Sequence, residues 1–192
     1  RNLGHGDRAT RAEFEALPEG PPYYELYRGL LHMSPAPAFH HQDVERALLR
    51  LLFSYFDAHP GHEVFLSSSD IAFANDTVLQ PDLYVLATTQ IEASRAANAV
   101  HGIPPLVIEI TSPSNANYDY TGKREVYQQA GVAEYWIVNP EEKSIVVLAL
   151  EGGHYAIHSD AYHNEGHVRS RYLPGLQVPL ARVFGEIHPP HS

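Results

Sequence analysis

The run Leu106-Val107-Ile108-Glu109-Ile110 constrains the fold of this 192-residue chain more than any other segment. Apart from its glutamate it is wholly aliphatic, and Pro104-Pro105 precedes it. Such a run is typical of a central strand that is buried on both faces. An ionised carboxylate in that setting is costly unless it has partners. Glu109 is therefore either a structural residue, whose carboxylate reaches solvent at the strand end or bonds to an arginine, or it is a metal ligand.

Helical and strand patterns alternate on both sides of this run. The apolar stripe over 39–59 predicts a helix with one buried face. Helices are also predicted over 90–100 and over 119–130, where Gly131 ends the helix, and a capping box of Thr10 and Glu13 begins a short helix through Leu17. Strand-like segments cover 23–27, 30–33, 63–67, 70–74, 78–86, 106–110, 134–139, 144–150, 155–158, 168–173 and 176–180. This order predicts an α/β fold, with a mixed β-sheet flanked by helices, an N-terminal hairpin and extra C-terminal strands.

The composition excludes several classes of protein. Lys and Arg number 13 against 23 Asp and Glu, so the formal net charge is −10, the wrong sign for a generic nucleic-acid coat. The absence of cysteine excludes disulfides, thiolate zinc sites and a cysteine nucleophile. No segment has the length and apolarity of a membrane span, and the first residues carry no signal core. We expect a cytoplasmic protein without a membrane partner.

The length favours one domain over 1–192. Its core covers about 23–150, residues 1–20 form an N-terminal extension, and 151–192 supply C-terminal strands and a frayed tail.

A second carboxylate stands at the start of a predicted neighbouring strand. Asp82 follows Pro81, a residue that suits the first position of a strand because it cannot donate to a ladder. Two carboxylates from adjacent strands form a hard oxygen site suited to Mg²⁺. On the next helix Lys123 lies four residues after Asp119, which predicts either a surface ion pair or an ammonium that orients a metal-bound water.

Several short motifs occur together in one order. They are Tyr24-Glu25, Met33-Ser34-Pro35, His41-Gln42, Gln80-Pro81-Asp82, Val107 to Ser114, Asp119 with Lys123, Tyr127, and Gly131 to Trp136. This ordered set, over about Tyr23 to Leu150, resembles the Uma-type (DUF820-like) family of proposed restriction endonucleases in the PD-(D/E)XK nuclease superfamily. The resemblance implies a restriction-endonuclease-like core and a divalent-metal phosphodiesterase site.

The resemblance also implies roles for individual residues. Asp82 and Glu109 occupy the PD and (D/E) positions and, with the Ile110 carbonyl, hold Mg²⁺, for which Mn²⁺ is a possible substitute. The superfamily lysine two residues after Glu109 is replaced by Thr111, and Lys123 matches the lysine that the Uma-type pattern carries on the next helix. Lys123 would then position the attacking water of a Mg²⁺-dependent endodeoxyribonuclease.

Two further residues have two readings each. Glu25 either adds a carboxylate from the N-terminal hairpin or is an exposed strand residue. His41 either contacts a phosphate or orients a carboxylate, or it has a structural role in its helix.

Other polar and aromatic residues remain secondary candidates. Tyr127 and Gln128 either line the cleft or, for Tyr127, pack in the core, and Asp70 is a spare carboxylate. Tyr135 and Trp136 are predicted to pack in the sheet rather than to stack on bases. A zinc site is a less favoured reading of four histidines, namely His154, His158, His163 and His167.

The acidity of the chain leaves the nature of the substrate open. An acidic chain can bind DNA in three ways. A bound metal can offset local charge, a partner subunit can supply the DNA contacts, or a homodimer can line one cleft with Arg46, Arg50, Lys123 and Arg124. The leading prediction is an endonuclease that acts on DNA and forms a homodimer. The alternatives are a catalytically inactive binding module with a nuclease fold and a phosphodiesterase acting on a small nucleotide.

Overall fold

Two β-sheets and a two-stranded ribbon form the framework of the fold. The computed structural model describes residues 3–18, 20–34, 38–113 and 117–185. The helices are α1 (Arg11–Glu15), α2 (Phe39–Ala58), α3 (Thr88–Ala97), α4 (Arg124–Ala130) and α5 (Leu180–Phe184), and a π-helical turn (Tyr118–Lys123) leads directly into α4. The strands are β1 (Tyr24–Tyr27), β2 (Leu30–Met33), β3 (His62–Leu66), β4 (Ile71–Ala74), β5 (Thr77–Leu79), β6 (Leu83–Ala87), β7 (Leu106–Ile110), β8 (Glu134–Asn139), β9 (Ser144–Glu151), β10 (His154–Ala161), β11 (His167–Arg169) and β12 (Gln177–Pro179).

The larger sheet has six strands in the order β10-β9-β8-β7-β6-β3. Strand β7 is central, runs parallel to β8 and antiparallel to β6, and every one of its residues is buried. Helices α2 and α5 pack on one face, while α4 packs on the other. The predicted mixed sheet with flanking helices is confirmed, and Glu109 is held in its most buried strand.

The smaller sheet has four strands in the order β2-β1-β5-β4. The predicted N-terminal hairpin is present, and both turn residues, Arg28 and Gly29, have positive φ (49° and 76°). Two consecutive positive φ angles are what a two-residue turn needs to match the twist of its strands.

The predicted strand over 78–86 is in fact two strands in different sheets. Strand β5 ends at Leu79 in the smaller sheet, and β6 begins at Leu83 in the larger one. Pro81 lies in the crossover, where the missing N–H breaks no ladder. This crossover places Asp82 between the two sheets.

Three other predictions need correction. The helix predicted over 119–130 starts at Tyr118, and its first six residues form the π-helical turn instead of a regular α-helix. The strands predicted over 168–173 and 176–180 are shorter, covering β11 and β12. Leu180 begins α5, whose buried Leu180, Val183 and Phe184 follow an i, i+3, i+4 spacing.

Some predictions fall on residues outside the described ranges. They include the strand-breaking Pro35 to Pro37, part of the loop before Tyr118, and the frayed C-terminal tail. Within the described ranges, no helix is long and apolar enough to cross a membrane.

Candidate active site

The Asp82 carboxylate lies beside the Glu109 end of β7. The register of β6 and β7 pairs Leu83 with Ile108, which places Asp82 opposite Glu109. Asp82 Oδ2 accepts a hydrogen bond of 2.7 Å from the Ile110 N–H. The two carboxylates that the sequence predicts as neighbours are therefore brought to one end of adjacent strands.

Lys123 lies among three carboxylates. Its Nζ is 2.9 Å from Glu109 Oε1, 3.1 Å from Glu25 Oε1 and 3.9 Å from Asp119 Oδ1. All four side chains are buried, with at most 7% of their surface exposed. The reading of Asp119 and Lys123 as a surface ion pair is therefore wrong, and so is the reading of Glu25 as an exposed strand residue.

The π-helical turn positions Lys123 and Asp119 against β1. Gly122 lies in this turn, and a Cβ at its position would be 3.0 Å from Tyr118 Cδ2 and 3.1 Å from the Tyr27 hydroxyl. Those distances are tighter than nine in ten real Cβ contacts, so a side chain at this position would require its neighbours to shift. The glycine therefore permits the close approach that brings Glu25 to Lys123.

The charges of this cluster do not balance. Burial raises the pKa of Glu109 well above its usual range, Lys123 opposes the shift, and Asp82, Asp119 and Glu25 add to it. Burial likewise raises the pKa of Asp119 to about 7, against the opposing charge of Lys123. Burial alone would lower the pKa of Lys123, but the surrounding carboxylates, Glu109 first, raise it above its usual value. The ammonium thus stays protonated, whereas burial favours the neutral forms of Glu109 and Asp119.

His41, on the first turns of α2, contacts the other carboxylate. Its Nε2 is 3.2 Å from Asp82 Oδ1, and its Nδ1 is buried without a hydrogen-bond partner in the described part of the chain. Burial would lower the pKa of His41, but the hydrogen bond and the charge of Asp82 raise it. The histidine that the sequence leaves between two readings is therefore placed against Asp82.

Glu45, one helical turn after His41, was missed by sequence reasoning. Burial raises its pKa, and Asp82 raises it further. The i, i+4 spacing from His41 on the same helix was the only available signal.

The secondary candidates divide into two groups. Tyr127 is fully buried, yet its hydroxyl donates a 2.5 Å hydrogen bond to Glu109 Oε1, so it packs in the core and contacts the cluster as well. Gln128 instead accepts from the Tyr155 N–H, and Asp70 accepts from the Gln80 side chain. Gln128 and Asp70 therefore bond to neighbouring segments of the chain rather than to the cluster.

Aromatic rings extend from the cluster toward the surface. The rings of His32 and Tyr118 are stacked, with centroids 5.2 Å apart and planes 5° apart. The edges of Tyr27 and His5 meet these rings. We call His32, Tyr118, Tyr27 and His5 the aromatic platform; the sequence gives no sign of it, because its members come from distant segments.

Other predicted features lie away from the cluster. Tyr135 and Trp136 are fully buried, which confirms their packing role. The four histidines of the less favoured zinc hypothesis are exposed. The described residues contain no group of three or more His, Asp or Glu side chains placed to hold a metal.

The four cations predicted to line a DNA cleft differ in burial and in partners. Lys123 is buried among the carboxylates. Arg46 pairs with Asp43 on its own helix, and Arg124 donates to the Tyr155 carbonyl at 3.4 Å. Arg50 is exposed.

The donor set nevertheless fits a magnesium-type ion. Mg²⁺ retains several waters and needs only one or two protein carboxylates. Asp82 and Glu109 supply hard oxygen donors. Burial, together with the charges of Asp82, Asp119 and Glu25, raises the pKa of Glu109, and a divalent cation beside it would offset this penalty on the carboxylate form. The chemistry of the residues and the local charge are both appropriate.

The fold is that of a nuclease-like protein. The structure is similar to a crystal structure described as "a putative nuclease belonging to DUF820 from Anabaena variabilis ATCC 29413", with a TM-score of 0.76 and 21% sequence identity. The similarity covers 92% of this chain and 97% of that one, and at this identity it shows a shared fold. Comparison with curated proteins gives no match.

The sequence itself identifies the family. The Uma2 family model, described as "Putative restriction endonuclease", matches residues 11–181. The chain therefore belongs to the Uma2 family, and the resemblance stated from the sequence motifs is confirmed. Family and fold together support a nuclease.

Proposed function

We propose that the protein is a metal-dependent endonuclease that hydrolyses DNA phosphodiester bonds. The observation that carries this proposal is the juxtaposition of Asp82 with the Glu109 end of β7, beside the buried ammonium of Lys123. Carboxylates on adjacent strands with a nearby lysine form the kind of site that metal-assisted phosphodiester hydrolysis requires.

The proposed metal ligands are Asp82, Glu109 and the Ile110 carbonyl. Nucleases of the restriction-endonuclease-like type generally use a divalent metal, and we propose Mg²⁺, replaceable by Mn²⁺. Such an ion, when bound, lowers the pKa of a coordinated water and offsets charge on the phosphate. Asp82 is fixed for this role by the Ile110 N–H, which holds one of its oxygens.

Lys123 is the proposed water-orienting group. An ammonium has three N–H donors. Glu109 and Glu25 lie at hydrogen-bond distance from Nζ, whereas Asp119 at 3.9 Å lies beyond it. The remaining N–H is the one we assign to the attacking water, and Glu25 is assigned the role of holding Lys123 in place.

His41 is the proposed positioning residue for Asp82. Its Nε2 contacts the Asp82 oxygen that does not accept from Ile110. The pair of contacts fixes the carboxylate in one orientation, which supports a site that is organised before substrate binds.

The acidity of the chain bears on how DNA is bound. Phosphate contacts from Lys and Arg normally supply much of the affinity for DNA, and the net charge here is −10. We therefore retain the proposal that a homodimer or a partner subunit completes the DNA-binding surface. Light scattering of the purified protein measures whether it is a dimer.

A second candidate function comes from a different class. Because Lys123 is buried and bonded to carboxylates, it adds no charge to a DNA-binding surface. This observation favours a nuclease-fold module that binds another protein and has lost catalysis.

Cleavage of DNA, offered as supercoiled plasmid and as a circular single strand, separates these functions. The wild type in Mg²⁺ should cut at least one of the two substrates, and EDTA should abolish cutting. Asp82→Asn should lower the rate by at least about a hundredfold, because it removes a proposed metal ligand and the loss of an outer partner alone costs about 10–100-fold. Asp57→Asn, the same change on an exposed residue of α2, is the matched control and should retain the wild-type rate.

The other results would reject the proposal. Nicking that persists in Asp82→Asn contradicts the assignment of Asp82 to the metal site. No cleavage of either substrate at any Mg²⁺ or Mn²⁺ concentration contradicts the proposed function and supports the binding module. Hydrolysis restricted to a small nucleotide, with a shallow salt dependence, would support the phosphodiesterase instead.

A further inference from the structure

We propose that this site accepts its substrate as a single, unstacked strand, with one base stacked on the aromatic platform at His32 and Tyr118. The inference rests on the proposed function, because it names the substrate class of the same site. It commits to single-stranded nucleic acid and against an intact duplex.

The platform begins at the carboxylate cluster. His32 is paired directly with Glu25 in the β1–β2 register, so both side chains project from the same face. Lys123 Nζ lies 5.4 Å from the centroid of the Tyr118 ring. A base on this platform would therefore be next to the site at which its own phosphate is bound.

The rings are held in place by their neighbours. The Tyr27 edge meets Tyr118 at a centroid distance of 5.1 Å and an interplanar angle of 85°. The His5 ring meets His32 at 5.6 Å and 86°, and His5 Nδ1 accepts a hydrogen bond from the Met33 N–H. A preorganised ring costs less to order when a base stacks on it.

Aromatic rings bind unpaired bases regardless of sequence. In a duplex the bases are already stacked on each other and cannot use such contacts.

The charges also disfavour a duplex. Duplex binding depends on cations along the phosphates, but Lys123 is bonded to carboxylates and Arg46 and Arg28 pair with Asp43 and Glu125. A single strand carries fewer charges along its axis and gains affinity from stacking instead. Base stacking thus compensates for cations that are already paired with carboxylates.

The depth of the site points the same way. Asp82 and His41 are 20% and 17% exposed, while the Glu109 and Lys123 side chains are almost wholly buried. A flexible strand can bend to bring a phosphate into such a recess. A duplex, which is stiff over about 150 base pairs, bends at a cost.

The test measures direct binding of labelled oligonucleotides of about 12 nucleotides. Binding is measured by fluorescence anisotropy in EDTA, where no cleavage occurs. The ligands are a single strand, the duplex of the same sequence, and the same strand with abasic positions. The proteins are the wild type, His32→Ala, His32→Phe, which keeps a ring, and His154→Ala, which removes an exposed histidine on β10 as control.

We expect the wild type to bind the single strand at least about tenfold more tightly than the duplex. His32→Ala should weaken single-strand binding about tenfold, whereas His32→Phe and His154→Ala stay close to wild type. The abasic strand should bind the wild type as weakly as the intact strand binds His32→Ala. Equal or tighter binding of the duplex, no effect of His32→Ala, or no binding of either ligand would overturn the inference.

Cleavage assays separate this inference from the proposed function. If the protein binds single strands through His32 but cleaves nothing in Mg²⁺ or Mn²⁺, the proposed function fails and the inference stands. If it cleaves a duplex with a higher kcat/KM than the single strand, and Asp82→Asn abolishes cleavage, the function stands and the inference fails.

Discussion

Asp82 accepts a 2.7 Å hydrogen bond from the Ile110 N–H, which ties the start of β6 to the end of β7 next to Glu109. This bond joins the crossover between the two sheets to the most buried strand of the larger one. The position of the carboxylate is therefore set by backbone geometry, and side-chain substitutions around it can be tested for chemistry and for stability separately.

Replacing Lys123 by Met should destabilise the protein by about 3–5 kcal/mol, because it removes the cation from a buried cluster of carboxylates. Chemical denaturation in EDTA measures the change. Arg46→Met, which breaks an exposed ion pair with Asp43, is the control and should cost less than about 1 kcal/mol. Equal effects of the two substitutions would mean that the cluster does not depend on its ammonium.

Asp119 should make stability depend on pH. Its pKa, raised by burial to about 7, lies above the ordinary value of 3.8, so the folded state holds the proton more tightly than the unfolded state. Its stabilising contribution is full below about pH 4 and is lost as pH rises through about 7. The raised pKa values of Glu109 and His41 act in the same direction.

The free energy of unfolding in EDTA should therefore fall as the pH rises from about 5 to 8, and Asp119→Asn should flatten this slope. Asp57→Asn, on an exposed position of α2, should leave the slope unchanged. An Asp119→Asn slope identical to that of the wild type would show that Asp119 ionises normally in the folded protein.

Gly122→Ala should destabilise the protein, although the same change in most helices stabilises it by about 0.5–1 kcal/mol. The added Cβ would meet Tyr118 Cδ2 at 3.0 Å, and such overpacking costs about 1–3 kcal/mol. Gly4→Ala, where no atom lies within 4 Å, should change stability by less than about 0.5 kcal/mol. A stabilising Gly122→Ala would contradict the close packing of the π-helical turn on β1.

A buried carboxylate far from the cluster should matter for stability alone. Glu134 is fully buried and accepts from the Trp136 indole, the Ser170 hydroxyl and the N–H groups of Arg171 and Tyr172.

Glu134→Gln turns an amide donor toward part of this set and should cost about 1.5–3 kcal/mol by thermal or chemical unfolding. Glu151→Gln, which breaks an exposed ion pair with the same Arg171, is the matched control and should cost less than about 1 kcal/mol. A larger loss in the control would show that the exposed pair, not Glu134, anchors this segment.

Much of the framework follows from the sequence because its signals are local. The aliphatic run of β7, the stripe of α2 and the hairpin at Arg28 and Gly29 are each defined by neighbouring residues. The proximity of Asp82 to Glu109 was predictable as well. Pro81 suits the start of a strand, so it indicates where the strand next to β7 begins.

Other parts of the site depend on contacts between distant segments. Glu25 sits in an ordinary short strand, and it becomes buried only because the smaller sheet packs against the π-helical turn. The stacking of His32 on Tyr118 has the same origin. No local pattern marks such pairs, so they appear only once the fold is known.

The most direct test of the account is the position of Mn²⁺ in a crystal of the protein, located by its anomalous scattering. The account predicts one strong peak between the Asp82 and Glu109 carboxylates, which disappears in Asp82→Asn. A well-ordered crystal saturated with Mn²⁺ that shows no peak there, or shows one only at another site, would contradict it.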